Sequence, residues 1–259
     1  MKKIVSMLTA GVLVAGCLAG CADNKETAVT TTVGDASSVE KIRIVTTIFP
    51  EYDWVLNVLG DKVSNAEITM LLDNGVDLHS YQPSVTDTAK ISTCDMFVYV
   101  GGESDEWVEG VLEAAMNKNM QVVNLLEVLG DAVKDEEVVE GMEHNHEHEE
   151  GEERENEEGE EHEHEHEHEH ESDEHVWLSL ENSQTIVSAL ATALGKIDSA
   201  NAETYKANAS SYNEKLAALD AKYAEAVNAA SVKTVLFGDR FPFRYMVDDY
   251  GLSYYAAFT

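Results

Sequence analysis

Histidines are spread unevenly along this chain, and their spacing is the first sign of chemistry. Eight of the ten fall between His144 and His170: His144, His146 and His148 in one group, then His162, His164, His166, His168 and His170 in the run HEHEHEHEH. Neutral imidazole nitrogen is a favoured donor for zinc, copper and nickel, and interleaved carboxylates add attractive charge and hard oxygen ligands. Such a tract can concentrate divalent ions. It has almost nothing apolar to bury and its like charges repel, so it reads as a disordered loop over about residues 135–174. A plain solvated spacer would not need eight imidazoles. His166 to His170 also matches H-E-x-x-H, the pattern of zinc hydrolases, which needs an apolar helix to present two histidines and a glutamate base on one face. Here the flanks are charged and the match recurs from His162 and His164, so it reads as an accident of the repeat.

The two other histidines stand in ordered surroundings. His79 lies in Gly75-Val-Asp-Leu-His-Ser-Tyr-Gln-Pro-Ser84, after one predicted strand and before a helix, where binding loops belong. His175 lies in Asp173-Glu-His-Val-Trp-Leu-Ser179, at the foot of the acidic tract. Taken singly, each reads as readily as a capping or packing residue as a ligand.

The elements that must position them are legible in outline. Lys41 to Phe49 is rich in β-branched residues and reads as a buried strand, with further strands at Ala66–Leu72, Met96–Val100 and Gln121–Asn124. Helical stretches at Tyr52–Leu59, Ser84–Thr93 and Trp107–Asn117 alternate with them. That rhythm predicts an α/β fold with a parallel sheet, in which ligands bind at the carboxyl ends of strands. From Asn182 to Ala230 there is no proline and a single glycine, which predicts helix throughout. Its second part carries an apolar stripe at Ala202, Tyr205, Ala209, Tyr212, Leu216, Leu219 and Tyr223. About 30 residues of helix reach roughly 45 Å, enough to cross between domains. A strand at Val232–Phe237, a helix at Phe243–Tyr250 and a strand at Ser253–Phe258 then begin a second sheet, too small to close a core alone. The expected organisation is a first lobe over 41–181, connecting helices over 182–230, and the start of an incomplete second lobe over 231–259.

Charge narrows the function classes. Fifty acidic side chains against 17 basic ones give a net charge of −33, which excludes non-specific nucleic-acid binding. The excess is local: the 41 residues from Asp135 to His175 hold 22 acids and one base, Arg154, and the rest of the chain has an ordinary globular composition.

At the start, Lys2 and Lys3 precede an apolar run from Ile4 to Ala19, the layout of an export signal over residues 1–20. Leu18-Ala-Gly-Cys21 resembles a bacterial lipobox, with Val14-Ala-Gly-Cys17 a near equal; Cys21 is the expected lipidation site. Residues 21–40, rich in Thr, Ser, Ala and Asp, read as a flexible stalk. The domain is expected outside the cytoplasm, lipid-anchored to a bacterial cell membrane. With Cys17 removed and Cys21 acylated, Cys94 has no disulfide partner.

Several motifs together carry a resemblance. G-x-D-x-H-x-Y-x-P-S around His79, C-D-x-x-x-Y-x-G-G from Cys94 to Gly102, Glu106-Trp107, D-E-H-V-W-L-S around His175, and Asp198-Ser-Ala-Asn-Ala-Glu-Thr-Tyr205 are similar to the zinc and manganese solute-binding lipoproteins of ATP-binding-cassette importers. The resemblance covers Lys41 to Phe258. It implies two α/β lobes joined by a long interdomain helix, a metal in the cleft between them, and no enzymatic activity. It implies His79 and His175 as first-lobe ligands, with zinc the expected ion and manganese the alternative. It also implies partnership with a membrane permease and its ATPase, acting on a monomer. Where that pattern places a third histidine, this chain has Gly238-Asp-Arg-Phe241, and since arginine cannot coordinate, Asp239 becomes the candidate. Its alternative is a turn or capping residue. A zinc-dependent surface hydrolase and a metal-buffering adhesin are the rival classes.

Overall fold

The computed structural model describes residues 41–73, 75–137 and 171–257. The export signal, Cys21, the 21–40 stretch and the histidine tract with its H-E-x-x-H match all lie outside the described residues.

Four short strands make the first sheet: β1 (Ile42–Thr46), β2 (Ala66–Met70), β3 (Met96–Tyr99) and β4 (Gln121–Asn124). They run parallel in the order β2-β1-β3-β4, with Ile44 level with Ile68 on one side and Met96 on the other. Every residue of β3 is buried, as expected of a central strand covered by helices on both faces. The helices follow in turn: α1 (Phe49–Leu59), α2 (Val85–Thr93), α3 (Trp107–Glu113), α4 (Leu125–Leu129), α5 (Leu180–Ile197) and α6 (Ala202–Ala229).

The strand expected over Lys41–Phe49 stops at Thr46, and the reason is local. Pro50 sits in the first turn of α1, where its missing N–H costs nothing. The Glu51 carboxylate accepts the Thr47 and Ile48 backbone N–H groups at 2.7 and 3.2 Å, closing the strand and opening the helix. Glu51 is fully buried, and burial pushes its carboxyl well above the usual range. Ser84 caps α2 by accepting the Asp87 N–H at 3.2 Å while Asp87 accepts the Ser84 N–H at 3.0 Å, a reciprocal capping box.

The helical stretch expected from Asn182 to Ala230 comprises two helices folded against each other. It starts earlier, at Leu180, because the Ser179 hydroxyl accepts the Asn182 N–H. It breaks at Asp198, whose carboxylate accepts from Asn201 Nδ2 and the Tyr205 hydroxyl, both at 2.7 Å, and so stabilises the turn. Asn213 donates back to the Gln184 carbonyl at 3.0 Å, which fixes α5 and α6 as antiparallel. Ile186, Leu190 and Leu194 of α5 and Tyr205 of α6 lie in the main core beside Ile44, Phe97 and Val98 of the sheet. At 28 residues α6 is about 42 Å long. It is tied to α1 by Asn208 donating to the Val58 carbonyl and Tyr212 donating to Asp53, both at 2.9 Å.

Beyond α6, β5 (Thr234–Phe237) and β6 (Ser253–Ala256) form a two-stranded parallel sheet joined through α7 (Arg244–Asp249). A small apolar cluster of Phe241, Val247 and Ala256 lies beneath it. Tyr245 of α7 belongs instead to the main core and is fully buried. Its hydroxyl donates to the Asp173 carbonyl at 2.7 Å and accepts the Lys134 N–H at 3.1 Å, so the second sheet is pinned to the segment that leads to His175.

Candidate metal centre

His79 is set by a short 3-10 turn, Leu78–Ser80, after β2. Leu78 is buried and anchors the turn, and the Asp77 carboxylate caps it by accepting the His79 N–H at 2.9 Å. His175 immediately precedes a second 3-10 turn, Val176–Leu178, fixed by the fully buried Val176. Although 96 residues separate them, the two imidazoles lie with ring centroids 5.3 Å apart, tilted by 54°. Trp177 flanks His175 at 5.3 Å.

The Nδ1 edge of each ring is occupied. His175 Nδ1 donates to Asp173 Oδ1 at 3.2 Å, and the same oxygen accepts the His175 backbone N–H at 2.8 Å. His79 Nδ1 lies 3.0 Å from Ser104 Oγ and 3.7 Å from Glu174 Oε2. Nδ1 is therefore engaged in both rings, and Nε2 is the nitrogen available to an ion. His79 is the more open of the two, with 42% of its side chain exposed against 19% for His175.

His79 opens into a cleft of about 410 Å³ that it shares with Glu103, Glu106, Glu136, Glu171 and Glu174. Five carboxylates around one imidazole make a field that attracts cations and repels anions. The Glu136 carboxyl is pushed up by burial and by the neighbouring charges of Asp173 and Glu171. Deeper in, the buried Asp105 carboxyl is raised from 3.8 to about 6, chiefly by burial, with the Glu174 charge adding and the Gly101 N–H opposing. Glu136 and Glu171 belong to a short antiparallel pairing: Asp135 bridges Ser172, the Glu136 N–H donates to the Glu171 carbonyl, and the Asp173 N–H donates to the Lys134 carbonyl. The residues bounding 138–170 thus stand at the cleft.

Asp239 is not brought to the pair. It sits in an exposed turn after β5 and its carboxylate accepts the N–H of Arg240 at 2.9 Å. Among the described residues no three His, Cys, Asp or Glu side chains are grouped to hold a metal ion. Cys94 is buried with its thiol pushed up to about 12 by burial, and serves the core. Glu174 and Ser104 were not singled out from the sequence; the one available signal was the position of Glu174 directly before His175.

The parallel α/β lobe thus brings two imidazoles together, one from the turn after β2 and one from the turn before α5. The chain belongs to the family described as zinc-uptake complex component A, periplasmic (ZnuA), whose model matches residues 44–259. It is 33% identical over 219 residues to the zinc-binding protein AdcA of Streptococcus pyogenes, covering 82% of this chain and 39% of the relative. It is 32% identical over 252 residues to the zinc-binding lipoprotein AdcA of Streptococcus pneumoniae, covering 97% of this chain and 43% of the relative. Among solved structures, Zn(II)-bound AdcA from Streptococcus pneumoniae superposes with a TM-score of 0.62 at 29% identity, over 83% of this chain and 39% of that one. The chain thus spans about two-fifths of the length of these relatives.

Proposed function

We propose that this chain is an extracytoplasmic receptor that captures one zinc ion between His79 and His175 and delivers it to the membrane permease of an ATP-binding-cassette importer. The observation that carries the reading is the convergence of the two rings at 5.3 Å. Two imidazoles bound through nitrogen to one tetrahedral zinc, at Zn–N distances of about 2.0–2.1 Å, have centroids roughly 5 Å apart. Nitrogen donors favour zinc over manganese, which prefers oxygen. The names of the relatives, two of which are zinc-binding proteins, point the same way.

The parts then have distinct work. The histidine and glutamate tract, His144 to His170, gathers ions weakly and exchanges them quickly. The acidic cleft raises their local concentration beside His79. The ordered pair holds one ion through Nε2, because Nδ1 of each ring is already engaged. Water or further donors complete the shell. No bond of a substrate is made or broken, so the chain is a receptor and not an enzyme. Lipidation at Cys21 would keep it at the membrane that houses the permease and ATPase.

Isothermal titration of the full chain with zinc tests this. We expect one tight site above a background of weak ones, with the tight site lost in a His79→Ala, His175→Ala double variant and the weak background retained. Survival of the tight site in that variant overturns the reading.

A further inference from the structure

We infer that Glu174 is a positioning residue for the ion: the charge of its buried carboxylate favours the His79 proton on Nδ1, where Ser104 Oγ is the acceptor, and so presents Nε2 to zinc. This deepens the functional reading and rests on it.

Four features build the seat of Glu174. Its side chain is only 6% exposed. One oxygen, Oε1, accepts the Ser104 backbone N–H at 2.8 Å. The other, Oε2, is buried, has no hydrogen-bond partner among the described residues, and lies 3.7 Å from His79 Nδ1. The backbone makes room for this arrangement at Gly102, whose φ of +83° suits glycine and where a Cβ would come within 2.4 Å of Oε1. An unpartnered carboxylate oxygen in such a site is costly unless a positive or proton-bearing group faces it.

The proton-bearing group at hand is the His79 ring. A neutral imidazole carries its proton on one nitrogen only, and the partner of each nitrogen decides which. A carboxylate near Nδ1 favours the Nδ1–H tautomer by charge, with Ser104 Oγ at 3.0 Å as the direct acceptor. Nε2 is then left with its lone pair exposed. The chain uses the same device on the other ring, where the preceding residue, Asp173, accepts from His175 Nδ1. Consecutive carboxylates thus orient one imidazole each, and a single short segment fixes both ends of the ion's cradle. Outer partners of this kind are worth roughly 10- to 100-fold in metal affinity.

Glu174→Gln makes the test sharp because it keeps an acceptor for the Ser104 N–H while replacing Oε2 by an amide that donates. An N–H aimed at His79 Nδ1 favours the opposite tautomer and buries the Nε2 lone pair under a proton. We expect the full-chain variant to bind zinc at its tight site roughly 10- to 100-fold more weakly. In the metal-free protein, nitrogen-15 shifts of the His79 ring, assigned by their loss in His79→Gln, should move from Nδ1–H toward Nε2–H. Thermal unfolding followed by circular dichroism should stay near the parent's, separating this effect from a loss of fold. Unchanged tautomer and affinity within twofold of the parent overturn the inference. So does X-ray absorption showing a direct zinc–oxygen bond in the parent that disappears in Glu174→Gln, which would make Glu174 a ligand. If instead the double histidine variant keeps the tight site, the zinc reading fails while the tautomer shift still reports on Glu174 alone.

Discussion

Asp105 shows how the ground beneath the candidate site responds to pH. It is 4% exposed, and its carboxyl is raised from 3.8 to about 6, first by burial and then by the charge of Glu174. A carboxyl that holds its proton more tightly in the folded than in the unfolded chain penalises folding once pH rises past its ordinary value, and the penalty is complete above the folded one. Stability of the metal-free protein should therefore fall between about pH 4 and pH 6, by up to about 3 kcal/mol from this residue. Asp105→Asn keeps an oxygen for the Gly101 N–H, which now donates to Oδ2 at 2.9 Å, and removes the charge. Urea unfolding across pH 4–7 should show a shallower decline in the variant, with Glu51 common to both proteins; parallel profiles would contradict the assignment. At this scale the sequence showed which histidines stood in ordered motifs, because those motifs are local. It did not show Glu174 or Ser104, since their role arises only where loops after different strands meet. Asp239 holds the place in the motif where a ligand is expected, and the fold leaves it in an exposed turn.

At the scale of elements, a buried hydroxyl is one of the ties between the second sheet and the first lobe, beside the Lys134–Asp248 and Arg244–Glu137 ion pairs. Tyr245 bridges the Lys134 N–H and the Asp173 carbonyl, two residues before His175. Burial and the Asp173 charge push its phenol up to about 12, so it acts as a neutral donor and acceptor throughout the physiological range. Tyr245→Phe preserves the ring packing and strands a backbone N–H and carbonyl, which should cost about 1–3 kcal/mol in urea unfolding. A change under 0.5 kcal/mol would mean that water replaces the hydroxyl. The alternation of strands and helices was readable because parallel strands covered on both faces are written as apolar, β-branched runs. The start of α1 and the exact place of the break between α5 and α6 were not, because each depends on a side chain closing a turn: Glu51 on Thr47 and Ile48, and Asp198 on Asn201 and Tyr205. Helix propensity has no term for a carboxylate that folds the chain back.

For the whole molecule, binding to the native state alone must appear as stability. Free zinc at 100 times its dissociation constant should add about 2.7 kcal/mol, seen as a rise in melting temperature. The rise should vanish in the His79→Ala, His175→Ala variant, and a rise of equal size there would place the ion elsewhere. Zinc affinity should also weaken in acid, because protons compete for imidazole nitrogen. The fold class and the family were legible at this scale, and so was the pairing of two distant histidines as a hypothesis. Their actual approach required the packed sheet, with the turn after β2 and the turn before α5 brought to one edge.

The central claim is that His79 and His175 share one ion. Crystals of the zinc-loaded protein, with anomalous differences recorded on either side of the zinc absorption edge, test it most directly. The account predicts a peak about 2 Å from Nε2 of both His79 and His175. A peak bound to one ring alone, or lying among the carboxylates of the cleft with neither ring in contact, would contradict it.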